Sequence, residues 1–182
     1  SNGFIGLNLI SHLSEMKDID IVKFSRQNSR QDLVEMCSNI DFVFHLAGVN
    51  RSLDDNEFVE GNFHLTEFLC ETLVSTGRKI PLIFSSSSQA IKNNPYGKSK
   101  LSAENTISDY AKSTGSDVYI YRFPNIFGKW CKPNYNSVVA TFCNNIANNL
   151  PIQIHNYDHE ISLMYIDDVI SEFISVLVHK IT

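Results

Sequence analysis

Scarcity excludes more about this chain than abundance reveals. Its four cysteines, Cys37, Cys70, Cys131 and Cys143, are far apart with no Cys-x-x-Cys pair, so neither a disulfide framework nor a zinc ribbon is indicated and a reduced, cytoplasmic protein is expected. His155 and His159 have the spacing of a metal pair, yet no third ligand accompanies them, and no metal is expected. Basic charge is in deficit: 15 lysines and arginines stand against 20 acidic residues, a net charge of -5, which argues against nucleic acid as a partner. No apolar run reaches the roughly 20 residues that span a bilayer, and no basic-then-apolar signal region opens the chain. Eight glycines and five prolines in 182 residues leave no low-complexity stretch, and a hydrophobic fraction of 43% suits one globular domain or a little more.

Against that background, short β-rich runs alternate with helical patterns. Residues 2–16 carry apolar side chains at helical spacing behind Gly3 and Gly6, and residues 19–24 follow as a short strand. A brief helix at 32–37, a buried strand at 41–47 closed by Gly48, and a long helix at 55–74 ended by Gly77 come next. A strand at 80–84, a helix at 96–114 with Gly115 as its stop, and a strand at 118–122 complete the alternation. The pattern predicts an α/β fold, a Rossmann-like doubly wound parallel sheet, over residues 1–127. Beyond it, residues 128–182 hold a polar aromatic loop, a helix at 137–149, a strand near 152–154 and a helix from Asp168 to about residue 178. This segment is expected to be the beginning of a smaller substrate-binding region. Asp167 and Asp168 precede an apolar helical run and suit capping.

The chemistry concentrates at Tyr96 and Lys100, four residues apart and hence on one helix face, where an ammonium can lower a phenol's pKa towards working pH. They follow a strand that ends in Ser85, Ser86, Ser87 and Ser88, a place for a hydroxyl to hold a carbonyl oxygen. A Tyr-x-x-x-Lys pair alone is as readily a surface helix; order and context give it meaning. Gly3-Phe4-Ile5-Gly6 opens the first helix, where glycines admit a pyrophosphate to the backbone amides. At the end of the second strand stand Ser25 and Arg26 rather than an acidic residue, which favours a 2'-phosphate and so NADPH over NADH.

Taken with HLAGVNR at 45–51, SSSSQA at 85–90, NPYGKSKL at 94–101 and the long run at 119–143, these motifs resemble the extended short-chain dehydrogenase/reductases of the NAD-dependent epimerase/dehydratase family. The likeness is greatest to the nucleotide-sugar reductases of capsule and O-antigen biosynthesis in the UDP-N-acetyl-L-fucosamine pathway. It implies NADPH-dependent reduction of the C4 ketone of a UDP-linked 2-acetamido-6-deoxy-hexulose. By this resemblance Ser87 holds the ketone oxygen, with Ser86 as the alternative, Tyr96 donates the proton, and Lys100 supports Tyr96 while bonding the nicotinamide ribose. Leu46, Ala47 and Gly48 lie along the cofactor. Asn125 contacts the nucleotide sugar, and Trp130 and Lys132 supply stacking and charge; a loop aromatic packed on the core is the equal alternative for Trp130.

The family's glycine motif begins one glycine earlier than Ser1, so the resemblance also implies a missing first strand and a missing C-terminal region. The absent strand is expected between 19–24 and 41–46 on one side and 80–84 on the other, and its loss to leave an unstable chain. An arginine that grips the diphosphate in many members has no counterpart in residues 160–168, leaving Lys132 or Arg51 for that task. Two other functions stay open: an NAD-dependent nucleotide-sugar epimerase, and a non-catalytic dinucleotide-sensing protein. Oligomerisation through the helices at 55–74 and 96–114 is common in this fold, so a homo-oligomer is an open expectation.

Overall fold

The computed structural model describes residues 2–154, 158 and 160–181. Three parallel strands form its central sheet: β1 (Val43–His45), β2 (Leu82–Ser87) and β3 (Val118–Phe123), in that spatial order. Alternation along β2 sends Leu82 and Phe84 to one face and Ile83 to the other, and each face has its own core. On the first face, helices α2 (Arg30–Cys37), α4 (Leu65–Ser75) and α5 (Pro95–Thr114) bury Leu33, Leu73, Phe84 and Ile107. On the second, α1 (Phe4–Leu13) and α7 (Ile166–Ile181) pack Leu9, Leu13, Ile170 and Phe173 against Ile83 and Phe123. Helices on both faces of a parallel sheet make the doubly wound α/β fold that the alternation predicts.

Local signals explain the firmest elements. Asn94 caps α5 by accepting from the Gly97 amide, Pro95 sits in its first turn, and Gly115 closes it in the left-handed conformation at φ 71°. Ser29 and Asp32 form a reciprocal capping box at α2. The expected helix at 55–74 is three pieces: α3 (Asp55–Phe58), a π-helical stretch at Val59–His64, and α4.

Four expectations are corrected. Residues 19–24 join no ladder, because among the described residues no strand lies beside them to take their N–H and C=O groups. The strands expected to flank a missing central one are themselves partners: β1 pairs with β2, Val43 opposite Leu82 and His45 opposite Phe84. Residues 152–154 form no strand; Ile152 and Ile154 are exposed, and the strand of this region is β5 (Leu163–Tyr165), paired in parallel with β4 (Asn125–Phe127). Finally, α7 already begins at Ile166, so Asp167 and Asp168 lie in its first turn rather than at its cap, where carboxylates still favour the helix dipole. Between β5 and β4, the helix α6 (Val138–Ala147) buries none of its residues.

Candidate active site

The site lies where β2 ends and α5 begins. Ser87, the last residue of β2, caps the short 3-10 turn at Ser88–Ile91, its hydroxyl accepting from the Gln89 amide. That turn and the start of α5 are in close contact at Gly97, where any side chain would strike the carbonyls of Gln89 and Lys92. The missing Cβ therefore allows the one-residue-earlier Tyr96 to stand beside Ser87. The Ser87 hydroxyl offsets part of the rise that burial imposes on the phenol's pKa. Tyr96 Oη also meets Asn50 Oδ1 at 3.4 Å, and its ring packs edge-on against Phe58, centroids 5.7 Å apart.

One helical turn on, Lys100 is buried to 4% exposure. Its Nζ donates to the Ser85 carbonyl at 2.7 Å and lies 4.3 Å from the centre of the Phe84 ring. Burial pulls its pKa down to about 8, with the Glu104 carboxylate acting in the opposite sense. The expectation that the ammonium brings the phenol below its usual range is corrected here: burial dominates at Tyr96 and holds the phenol up, while the ammonium is turned to the strand carbonyl.

Leu46, Ala47 and Gly48 continue β1 towards this point, all half-buried. A Cβ on Gly48 would lie 2.8 Å from Asn62 Oδ1 and 3.6 Å from Lys100 Nζ, so glycine is what lets the loop lie against the Asn62 amide, with the lysine in ordinary contact beyond it. Asn62 clamps that loop, accepting from the Val49 amide and donating to the Val49 carbonyl and to Ser99 of α5. Beneath it, Thr66 donates to the Asn62 carbonyl and pairs with His45 Nε2 at 2.7 Å. Burial first, and the Lys100 charge second, push the His45 pKa down to about 3.

The remaining candidates lie around this centre at different depths. Gly3 is the N-cap of α1 with no side-chain cap, and a Cβ there would meet open space; Phe4 and Ile5 are half-buried in the second core and Gly6 is buried. Ser25 is fixed in its turn by Asn28, which accepts from both its amide and its hydroxyl, and Arg26 beside it is exposed. Arg51 lines a shallow hollow of about 450 Å³ with Asn50, Ser52, Leu53 and Phe58, and its guanidinium reaches the Tyr135 ring at 5.8 Å. Asn125 starts β4 and is exposed. Trp130, at φ 67° and 46% exposed, has the Lys129 ammonium over its ring at 4.2 Å; Lys132 is exposed in the same loop. His155 and His159 lie outside the described residues, among which no metal-binding cluster occurs.

Asn50, Asn62, His45 and Glu104 escaped the sequence reasoning. Glu104 alone left a signal there, four residues beyond Lys100 on the face that carries Tyr96. An uncapped helix N-terminus facing open space, with Gly48 close over Lys100, fits a dinucleotide laid across the ends of the strands.

The NAD dependent epimerase/dehydratase family model matches residues 1–181. A UDP-2-acetamido-2,6-beta-L-arabino-hexul-4-ose reductase of Pseudomonas aeruginosa is 50% identical over all of this chain and 49% of its own length. A trifunctional UDP-glucose 4,6-dehydratase/UDP-4-keto-6-deoxy-D-glucose 3,5-epimerase/UDP-4-keto-L-rhamnose-reductase of Arabidopsis thaliana is 27% identical over 96% of this chain and 31% of its own. The chain thus spans half or less of the length of these curated relatives. Among solved structures, the capsular polysaccharide assembling protein CapF from Staphylococcus aureus superposes with a TM-score of 0.84 at 44% identity, over 96% of this chain and 47% of that one.

Proposed function

The chain belongs to the NAD dependent epimerase/dehydratase family, and we propose that it supplies the dinucleotide-binding and proton-handling part of an NADPH-dependent reductase acting on the C4 ketone of a UDP-linked 2-acetamido-6-deoxy-hexulose. The observation that carries this reading is the meeting of Tyr96 with Ser87 at the end of β2, with Lys100 one turn behind. The names of the Pseudomonas relative and of the capsule-assembling neighbour support the substrate class.

Bound nicotinamide supplies the hydride in such a reaction. Ser87 and Tyr96 hold the carbonyl oxygen, and Tyr96 Oη gives it a proton, a step that is favoured because burial keeps the phenol protonated. Lys100 anchors the cofactor's ribose side and supplies positive charge against the phenolate left behind. The amides of α1 behind Gly3, with Phe4, Ile5 and Gly6, receive the diphosphate, and Leu46, Ala47 and Gly48 line the cofactor's path. Ser25 and Arg26 select the 2'-phosphate. Arg51, Asn125, Trp130 and Lys132 face the nucleotide sugar, Arg51 taking over diphosphate charge with Lys132. The division of the chain at residues 127 and 128 belongs to the same proposal; β4 crosses it to pair with β5, and α7 returns to pack against the central sheet.

The test follows NADPH absorbance with the ketosugar, using protein made from the whole coding sequence and its Tyr96→Phe variant. Consumption that collapses in the variant supports the reading. Interconversion of sugars without net cofactor consumption would replace it with the epimerase.

A further inference from the structure

Tyr96, Lys100 and Glu104 succeed one another at four-residue intervals on α5, so their side chains form a column along one helix face. The third member is a carboxylate at 5% exposure. Two strands hold it. From β3, Arg122 donates through Nε at 2.9 and 3.1 Å to the two oxygens and through Nη2 at 2.6 Å; from β2, Ser86 donates its hydroxyl at 2.5 Å. Ser86 and Arg122 are register partners in the sheet, so the two donors converge from adjacent strands. Lys100 grips the preceding residue of the same strand, at the Ser85 carbonyl, and Ser87 follows.

We propose that Glu104 is a positioning residue for Lys100, its carboxylate being fixed between Arg122 and Ser86 so that its charge holds the neighbouring ammonium at the base of the site. This rests on the reductase reading of Tyr96 and Lys100 and extends it by one residue. The groups packed around Lys100 from every other element leave this task to Glu104. His45, from β1, is kept neutral by burial and by the lysine's own charge. Tyr96, on α5 itself, is kept neutral by burial. The loop contributes Gly48 and the neutral amide of Asn62, and β2 contributes a carbonyl and an aromatic ring. Arg122, from β3, is a like charge whose guanidinium is tied up by Glu104. Burial works against the ammonium and the Glu104 charge works for it.

A purely structural ion pair and a positioning residue differ in the sign of two variants. In E104Q the amide keeps an oxygen for Ser86 and Arg122 but removes the negative charge, so the alkaline limb of kcat/KM moves about one unit lower and activity above that limb falls about tenfold. In R122Q the carboxylate stays and loses its competing cation, so the limb moves upward instead. R122Q leaves a carboxylate at 5% exposure without its guanidinium, so its melting temperature is measured beside that of E104Q. The pH profile of NADPH-dependent ketosugar reduction and of NADPH binding, read by its fluorescence, is measured for both variants and for E104D, which should restore the limb. Opposite shifts support the proposal. Limbs that stay put while both variants lose thermal stability alike would overturn it. Wild-type protein that binds the dinucleotide without reducing the sugar counts against the reductase reading alone, and the limb of the binding profile then decides the role of Glu104.

Discussion

The two sides of the sheet are built to different standards. On the β2–β3 side six consecutive residues pair in register, Leu82, Ile83 and Phe84 are wholly buried, and the charged groups present, Lys100 and Glu104, each have named partners. Beyond β1, residues 19–24 run alongside without a ladder, Val22 is 55% exposed, and a hollow of about 440 Å³ opens between them and β1, walled by Ile21, Phe24, Phe44, Leu46 and Leu69 among others. The proposed chemistry falls on the first side and the proposed cofactor choice on the second. A proton donor needs its distances held by packing, whereas the proposed role of Arg26 asks only for charge, from a turn that three local hydrogen bonds suffice to shape.

The largest effect should come from the packed side. Tyr96→Phe removes the proposed proton donor and leaves the ring against Phe58, so reduction should fall roughly a hundred- to ten-thousandfold while dinucleotide affinity and melting temperature stay close to wild type. Steady-state kinetics beside a melting curve check it. A variant that retains a tenth of the activity would break the contrast by moving the donor elsewhere.

Stability should divide along the same line. Leu73→Ala empties a fully buried position of α4 and should cost about 2–5 kcal/mol, whereas Val22→Ala, in the unpaired segment, should cost under about 0.5 kcal/mol. Urea unfolding of the two variants measures the difference directly. Equal losses would mean that residues 19–24 are packed as tightly as the core.

That contrast also explains what could be foreseen. Helix α5 was legible to its ends, since Asn94, Pro95 and Gly115 each carry a local instruction. So was the serine-ended strand, whose apolar run is buried on both faces. Residues 19–24 and 152–154 carry the same β-rich signal, but a strand exists only when a neighbour takes its hydrogen bonds, and composition says nothing of neighbours. The strands β4 and β5 failed for the opposite reason: three residues each, half-exposed, they leave no period to detect. In the site, Tyr96 and Lys100 were visible because they share a helix. The partners of Glu104 were not, because Ser86 and Arg122 approach from strands 18 residues away on either side.

The buried histidine adds a pH dependence confined to the packed side. His45 is neutral in the fold, its pKa pushed to about 3 by burial and then by Lys100, against the usual value near 6.5 once unfolded. Between those two values the unfolded chain binds the extra proton, so stability is intact above about pH 6.5 and declines as pH falls, by about 1.4 kcal/mol for the first full unit. Melting of wild type at pH 7.5 and 5.5 should show this loss, and His45→Gln, which keeps a donor for Thr66, should show less of it. An equal slope in the variant would place the titrating group elsewhere.

The smallest effect belongs to the loosely built side. Arg26 is exposed and sits beside a turn that hydrogen bonds from Ser25 and Asn28 already define, so Arg26→Ser should leave stability unchanged. An exposed charge pair contributes at most about 1 kcal/mol, which limits the loss of NADPH affinity to roughly fivefold with NADH unaffected. Because the interaction is solvent-screened, raising the salt should shrink the difference between wild type and variant, whereas the loss in Tyr96→Phe should be indifferent to salt. Titration of both dinucleotides at low and high ionic strength separates the two behaviours. A loss of a hundredfold or more at Arg26, insensitive to salt, would show the guanidinium enclosed when cofactor binds, and the second side of the sheet would then be built as tightly as the first.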